Sequence, residues 1–179
     1  MPIELNPEQV KWITGEVRDY ILAQRERFAA RCEPLTKAQA LAMAGFFPDA
    51  VIASVRVGVL KDERIENPAF YKNLREWGID TALDFEDMAA ITLVDIVVSH
   101  VPFYDQLLFH ELVHVMQYRK FGVDEFARRY VHGFLTGGSY ERIPLEVQAY
   151  ELDGRFGLDP QKLFSVEKQL ESWVQQGML

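Results

Sequence analysis

Residues 107–121 read LLFHELVHVMQYRKF and contain His110-Glu111-Leu112-Val113-His114, an H-E-x-x-H. On an α-helix the two histidines stand one turn apart on one face and can offer two imidazole nitrogens to a single cation. Glu111 follows His110 by about 100° of helix rotation. Its carboxylate then sits beside the cation without binding it, in reach of a water that the cation acidifies, and can act as general base. Leu107, Leu108, Leu112, Val113, Val115 and Met116 make the stretch apolar nearly all round, as expected of a core helix. Two histidines and a glutamate are costly to bury there without partners, which favours a metal over a core helix with two satisfied histidines. Arg119 and Lys120 fall in the last turn, and Gly122 is placed to cap it.

A catalytic zinc site usually has three protein ligands and an open position for water, so a third donor is needed. Three candidates lie downstream. Glu146 follows Pro144 in the first turn of a further helix, with Ala149 three residues on leaving room for close approach and Tyr150 four residues on sharing its face. His132 is a nitrogen donor next to Gly133. Glu151 is turned about 140° away from Glu146, so one glutamate can face the metal while the other faces solvent. Glu146 is the first choice, ahead of His132 and then Glu151. Hydrolysis at such a site also needs a donor for the oxyanion. Tyr140, Tyr150 and His132 are the candidates, each with an ordinary packing or polar role as its alternative.

The pairing of HELVHVMQY with IPLEVQAY about thirty residues later resembles the glutamate-type zincins. More narrowly, it is similar to a bacterial family of zinc-peptidase-like domains found beside toxin and secretion machinery. These carry an H-E-L-x-H-x-x-Q helix, preceded by an A-x-T-x strand and followed by an E-x-x-A helix. The matching elements here are residues 90–93, 110–117 and 146–149, and the resemblance covers residues 55–156. It implies a zincin-like fold and Zn2+ held by His110, His114 and Glu146, with Glu111 as base. It further implies a peptide or protein substrate in a cleft bordered by the strand at residues 90–99. One departure bears on the histidines. Glutamate-type peptidases often carry an Asp four residues after the ligand Glu, bonded to a ligand His, and here that position is Tyr150.

The elements that must position these residues are mostly helical. Asn6 and Pro7 start a helix to about Cys32, with Val10, Ile13, Val17, Tyr20 and Ile21 on its inner face. Thr36 and Gln39 suggest a capping box for a short helix through Phe46. Both read as scaffold, residues 6–46. Residues 50–60, AVIASVRVGVL, alternate and are β-branched, which predicts a strand. Asn67-Pro68 opens another helix, carrying Phe70, Leu74 and Trp77 and closed by Gly78. Residues 89–99, AAITLVDIVVS, predict a strand covered on both faces. Its Asp95 is expected to be paired within the sheet or at an edge, in preference to supporting a ligand histidine. Beyond the H-E-x-x-H helix the pattern predicts helices over 123–135, from Pro144 to about Gly154, and over 160–175, with Leu163, Val166, Leu170 and Val174 on one face of the last. Thr136-Gly137-Gly138-Ser139 reads as a flexible loop. The expectation is one α+β domain over residues 1–179, with a motif-bearing core at 50–156 and a small sheet beside the active helix.

Composition narrows the classes. At 179 residues, 49% apolar and 26% charged, the chain can bury a single core. A formal net charge of −8 with no basic block argues against nucleic acid as partner. One cysteine, Cys32, excludes an internal disulfide and any cysteine-rich zinc site. MPIELNPEQV has neither the basic nor the apolar segment of a leader, and residues 89–98 are too short and carry Asp95, so the reading is cytoplasmic with no membrane span. Oligomeric state leaves no mark in the sequence. Two other classes share the pattern: a zincin-like module that binds metal without catalysis, and a helical interaction protein without metal. Glu111 speaks against the first, because a purely structural site has no use for that carboxylate.

Overall fold

The computed structural model describes residues 5–79 and 84–178. Residues 1–4, part of the stretch read for a leader, lie outside the described residues. Helix α1 (Pro7–Ala29) begins as expected. The Asn6 side chain accepts from the Gln9 backbone N–H, and the Gln9 side chain accepts from the Asn6 N–H, both at 2.9 Å. After β1 (Glu33–Pro34), Thr36 and Gln39 cap α2 (Lys37–Met43) in the same reciprocal way. Both helices end some three residues short of the expected Cys32 and Phe46.

Residues 50–60 divide where one strand was expected. Helix α3 (Asp49–Ser54) comes first, then strand β2 (Arg56–Val59). Pro48 starts the helix, and Val51 and Val55, four apart, are both fully buried in the main core. A helical turn therefore buries apolar residues whose alternation also fitted a strand, and packing decides between the two. Helix α4 (Tyr71–Glu76) follows and is closed by Gly78 at φ +76°.

Residues 89–99 are also divided, into an antiparallel hairpin of β3 (Ala90–Leu93) and β4 (Ile96–Ser99). The turn is Val94-Asp95, with Val94 at φ +66°. Valine is unusual there, so the turn carries none of the glycine or asparagine that marks a hairpin in sequence. Asp95 is held instead by both nitrogens of an Arg25 fork on α1, at 2.6 and 2.9 Å. Its role is structural, as expected, but it sits in a turn and pairs with a helix, not within the sheet. The sheet runs β1-β2-β4-β3, with β2 and β4 parallel and the other pairs antiparallel. Strand β4 is covered on both faces: Val97 joins the core under the motif helix, while Ile96 and Val98 pack with Phe28 and Ile65 on the other side. Strand β3 is an edge.

Helix α5 (Asp105–Gly137) carries the motif. Every residue from Leu107 to Tyr118 is buried, so the all-round apolar reading holds. Gly122 divides α5 into two helices at φ 75°, ψ 167°, a conformation open essentially to glycine alone. The predicted flexible loop at 136–139 is a tight end: α5 runs to Gly137, Gly138 caps it at φ 72°, and a 3-10 turn follows at Tyr140–Arg142. Helix α6 (Pro144–Leu158) outlasts the expected stop at Gly154 and packs more extensively on α5 than any other element. A Cβ on Gly133 would meet Pro144 Cδ at 2.7 Å, so this glycine lets the start of α6 settle against the second half of α5. The last helix, α7 (Val166–Gln175), begins six residues later than Pro160, where Ser165 accepts from Lys168 N–H. Its buried residues are Val166, Leu170 and Trp173; Leu163 and Val174 are exposed. Among the described residues no helix is long and apolar enough to cross a membrane.

Candidate metal centre

The first half of α5 and the first turn of α6 bring His110, His114 and Glu146 together, all three buried. His110 Nε2 and His114 Nε2 are 3.1 Å apart, and Glu146 Oε2 lies 3.4 Å from the first and 3.3 Å from the second. Donors about 2.0–2.1 Å from one tetrahedral cation stand about 3.3 Å from each other. The triangle therefore has the edge lengths of such a site. This group can hold a metal ion. His132 is exposed on the second half of α5, and Glu151 is exposed on the far side of α6; neither joins the cluster.

Each ligand candidate is gripped from behind. His110 Nδ1 is 2.7 Å from Asp153 Oδ2, and Gln106 Nε2 donates to Asp153 Oδ1 at 3.1 Å. His114 Nδ1 is 2.8 Å from Gln117 Oε1, while Gln117 Nε2 donates to Leu145 O at 2.9 Å. A carboxylate or amide oxygen on Nδ1 selects the tautomer in which Nε2 presents its lone pair, and both Nε2 atoms face the cluster. Tyr130 donates to Glu146 Oε1 at 3.1 Å and Tyr140 to Oε2 at 2.7 Å. Thr92, on β3, donates to Glu111 Oε2 at 2.7 Å and so fixes the expected base.

The electrostatics of the cluster favour positive charge where the donors meet. Burial draws the His110 pKa down, but the hydrogen bonds to Asp153 and Glu146 outweigh it and push it up to about 10. His114 is likewise raised, burial being overcome by the charge of Glu146. Burial works to raise the Glu146 pKa, yet the two histidines hold its carboxyl well below the usual carboxylate range. A divalent cation can supply that positive charge in place of protons, with neutral imidazoles and an ionised carboxylate as ligands. Tyr140 is pushed far above the ordinary tyrosine range by burial and by the Glu146 charge, and Tyr130 moves the same way. Both are therefore donors and not bases.

Comparison with known proteins gives no match. No family model, no curated protein and no solved structure resembles the chain closely enough to count as one. The site is therefore read from its own geometry.

Two hollows meet at the cluster. An open cleft of about 600 Å³ is lined by His110, Glu111, Tyr140, Tyr150 and Asp153, with Ala89 and Ala90 of the β3 end at its edge. An apolar chamber of about 110 Å³ lies on the other side and touches Glu111, His114, Tyr140 and Glu146. Tyr150 is about half exposed in the cleft, its ring centroid 4.6 Å from that of His110.

Four residues of this network escaped the sequence reading. Asp153 lies two helical turns beyond Glu146 on the same face, one turn past Tyr150, where the glutamate-type pattern led us to look for it. Gln117 lies three residues after His114 on the motif helix, and Thr92 is the threonine of the A-x-T-x strand, so both were within reach. Tyr130 had no local signal, because the Gly122 kink brings it to Glu146.

Proposed function

We propose that the chain is a zinc-dependent hydrolase of peptide bonds, similar in its centre to the glutamate-type zincins. The observation that carries this reading is the buried triangle of His110 Nε2, His114 Nε2 and Glu146 Oε2 with a non-ligand carboxylate, Glu111, beside it. Among the described residues three donors converge there, and three donors leave a tetrahedral cation one position for catalysis. Nitrogen and carboxylate donors at this spacing favour zinc over the all-oxygen cations.

Bound zinc would supply Lewis acidity, acidifying water and polarising the scissile carbonyl. Glu111, held by the Thr92 hydroxyl, takes a proton from the attacking water and passes it to the departing amine. Tyr140 and Tyr150 line the cleft with hydroxyls that stay protonated at neutral pH, and they are the proposed donors to the tetrahedral oxyanion. The Tyr140 hydroxyl already sits on the Glu146 oxygen nearest the histidines. Strand β3, an edge with Ala90 on the cleft, offers backbone groups to an extended peptide.

Elemental analysis of chelator-free protein, paired with cleavage of a peptide library, tests the proposal. The expected result is about one zinc per chain, lost in His110→Ala/His114→Ala, with cleavage that requires zinc. Undiminished zinc in the double variant refutes the site. Full zinc with no cleavage across the library refutes the hydrolase and leaves a metal-binding module.

A further inference from the structure

Resting on that hydrolase reading, we infer that the substrate is an amide whose acyl side is a linear apolar chain lying in the inner chamber and whose amine side is cationic and lies in the outer cleft. The chamber's shape carries the first half. It touches Glu111, His114 and Glu146 at one end and Ile13, Leu74 and Leu135 at the other, crossing from the apolar cluster beside the metal centre into a second one between α1 and α4. On α1 its wall runs from Ile13 to Ile21, which at 1.5 Å per residue is about 12 Å. A rounded cavity of about 150 Å³ takes a benzene ring. The smaller volume here, about 110 Å³, is drawn out over that length. A volume below that of a benzene-sized cavity, lined by residues spread over such a length, is elongated and suits a short unbranched chain better than a ring.

Charge carries the second half. The cleft wall includes Asp84, Asp87 and Glu141, and no Lys or Arg is among the described residues lining it. Hydrolysis adds water across the acyl carbon–nitrogen bond: that bond breaks, the water oxygen bonds the acyl carbon, and the products are a carboxylate and an amine that takes up a proton as ammonium. An ammonium leaving into an acidic cleft is stabilised, whereas a carboxylate leaving there is repelled. The amine side therefore belongs in the cleft and the acyl chain in the chamber.

The experiment compares one arginine-rich tripeptide carrying acetyl, butanoyl or hexanoyl on its α-amine. Two unacylated peptides with leucine or phenylalanine before the scissile bond complete the set. Zinc-loaded protein is expected to gain about threefold to fourfold in kcat/KM per added methylene until the chamber is full. Val131→Phe, which narrows the chamber wall, should abolish that gain while leaving zinc content and the acetyl rate unchanged; Val17→Phe does the same from α1 if the first variant fails to fold. Calorimetry with hexanoate and metal-free protein reads the chamber without catalysis, and binding that either variant removes is expected. Acetyl and hexanoyl peptides cleaved alike, with no hexanoate binding, overturn the inference and leave the hydrolase reading standing. Leucine or phenylalanine peptides preferred over every acyl chain overturn it in favour of a compact apolar side chain. Hexanoate bound and blocked by the variants, with no amide cleaved, upholds the chamber's occupant and overturns the hydrolase.

Discussion

Replacing Asp153 by Asn isolates what holds a ligand histidine in place. Asp153 is buried, with one oxygen 2.7 Å from His110 Nδ1 and the other accepting from Gln106 Nε2 at 3.1 Å. The carboxylate thus faces two donors. An asparagine has one acceptor oxygen. If it keeps the His110 contact, its NH2 faces Gln106, whose exposed amide can turn to present its oxygen, and if it keeps the Gln106 contact, its NH2 confronts His110 Nδ1. In either case the negative charge that makes Nε2 a stronger donor is gone. Loss of a carboxylate behind a ligand histidine typically weakens metal affinity about 10-fold to 100-fold, or about 1.4–2.7 kcal/mol. The lower part of that range applies here, because His110 and Asp153 both border the open cleft, where water can partly replace the lost acceptor. Competition titration of zinc against a chromophoric chelator measures it, with the exposed Glu151→Gln on the same helix as control. An affinity for Asp153→Asn within about twofold of the parent would refute the assignment of Asp153 as the residue that fixes His110.

Further outcomes test the other parts. Glu111→Gln should retain zinc and lose hydrolysis by about 10²-fold to 10⁴-fold, as elemental analysis and steady-state kinetics would register. Glu146→Gln should weaken zinc binding by removing a negative charge at about 2 Å from the cation, while His132→Ala leaves it unchanged in the same titration. Gly122→Ala should cost about 1–3 kcal/mol in denaturant unfolding, entirely from backbone conformation, because an added Cβ there meets nothing within 4 Å. Asp95→Asn should destabilise by less than about 1 kcal/mol at neutral pH, since the pair with Arg25 is partly exposed. The Arg25 hydrogen bond holds the Asp95 pKa below its ordinary value. Its contribution is therefore present above the unfolded carboxylate pKa and is lost as pH falls through the lower folded value, so parent and variant melting curves should converge in acid.

The helices were legible wherever capping chemistry and a single apolar face agree. Asn6-Pro7 with Gln9, Thr36 with Gln39, and Gly122 after the motif all mark real boundaries. The two misread strands share a cause. AVIAS suits helix and strand equally by pattern, and only burial of Val51 and Val55 against the core selects the helix. LVDI has neither glycine nor asparagine, its positive φ falls on Val94 and not on the turn-favouring Asp95, and the hairpin is held by Arg25, seventy positions earlier in the chain. The start of α7 was placed too early because Leu163 has helical spacing from Val166 and Leu170, yet it packs over Gly45 outside the helix. In the centre, the convergence of His110 and His114 was legible from spacing alone, and that of Glu146 from its place behind Pro144. The supporting shell was less so, because Thr92 and Tyr130 arrive through the hairpin and the kink.

Those two irregular points explain why Glu146 is presented as it is. The Gly122 kink turns the second half of α5 so that Phe126 stacks on Tyr118 at 3.7 Å, and one turn further on Tyr130 reaches Glu146 Oε1. From the other side, the 3-10 turn after Gly138 delivers Tyr140 to Oε2. With Oε1 drawn toward Tyr130, Oε2 alone faces both histidines, which sets the carboxylate up to bind a cation through one oxygen. A carboxylate turned to bind through both oxygens would take the fourth tetrahedral position and close the site to water. Tyr130 therefore does more than satisfy a buried charge: by holding Oε1 it leaves Oε2 to a cation, and on the proposed hydrolase reading that keeps a coordination position for water.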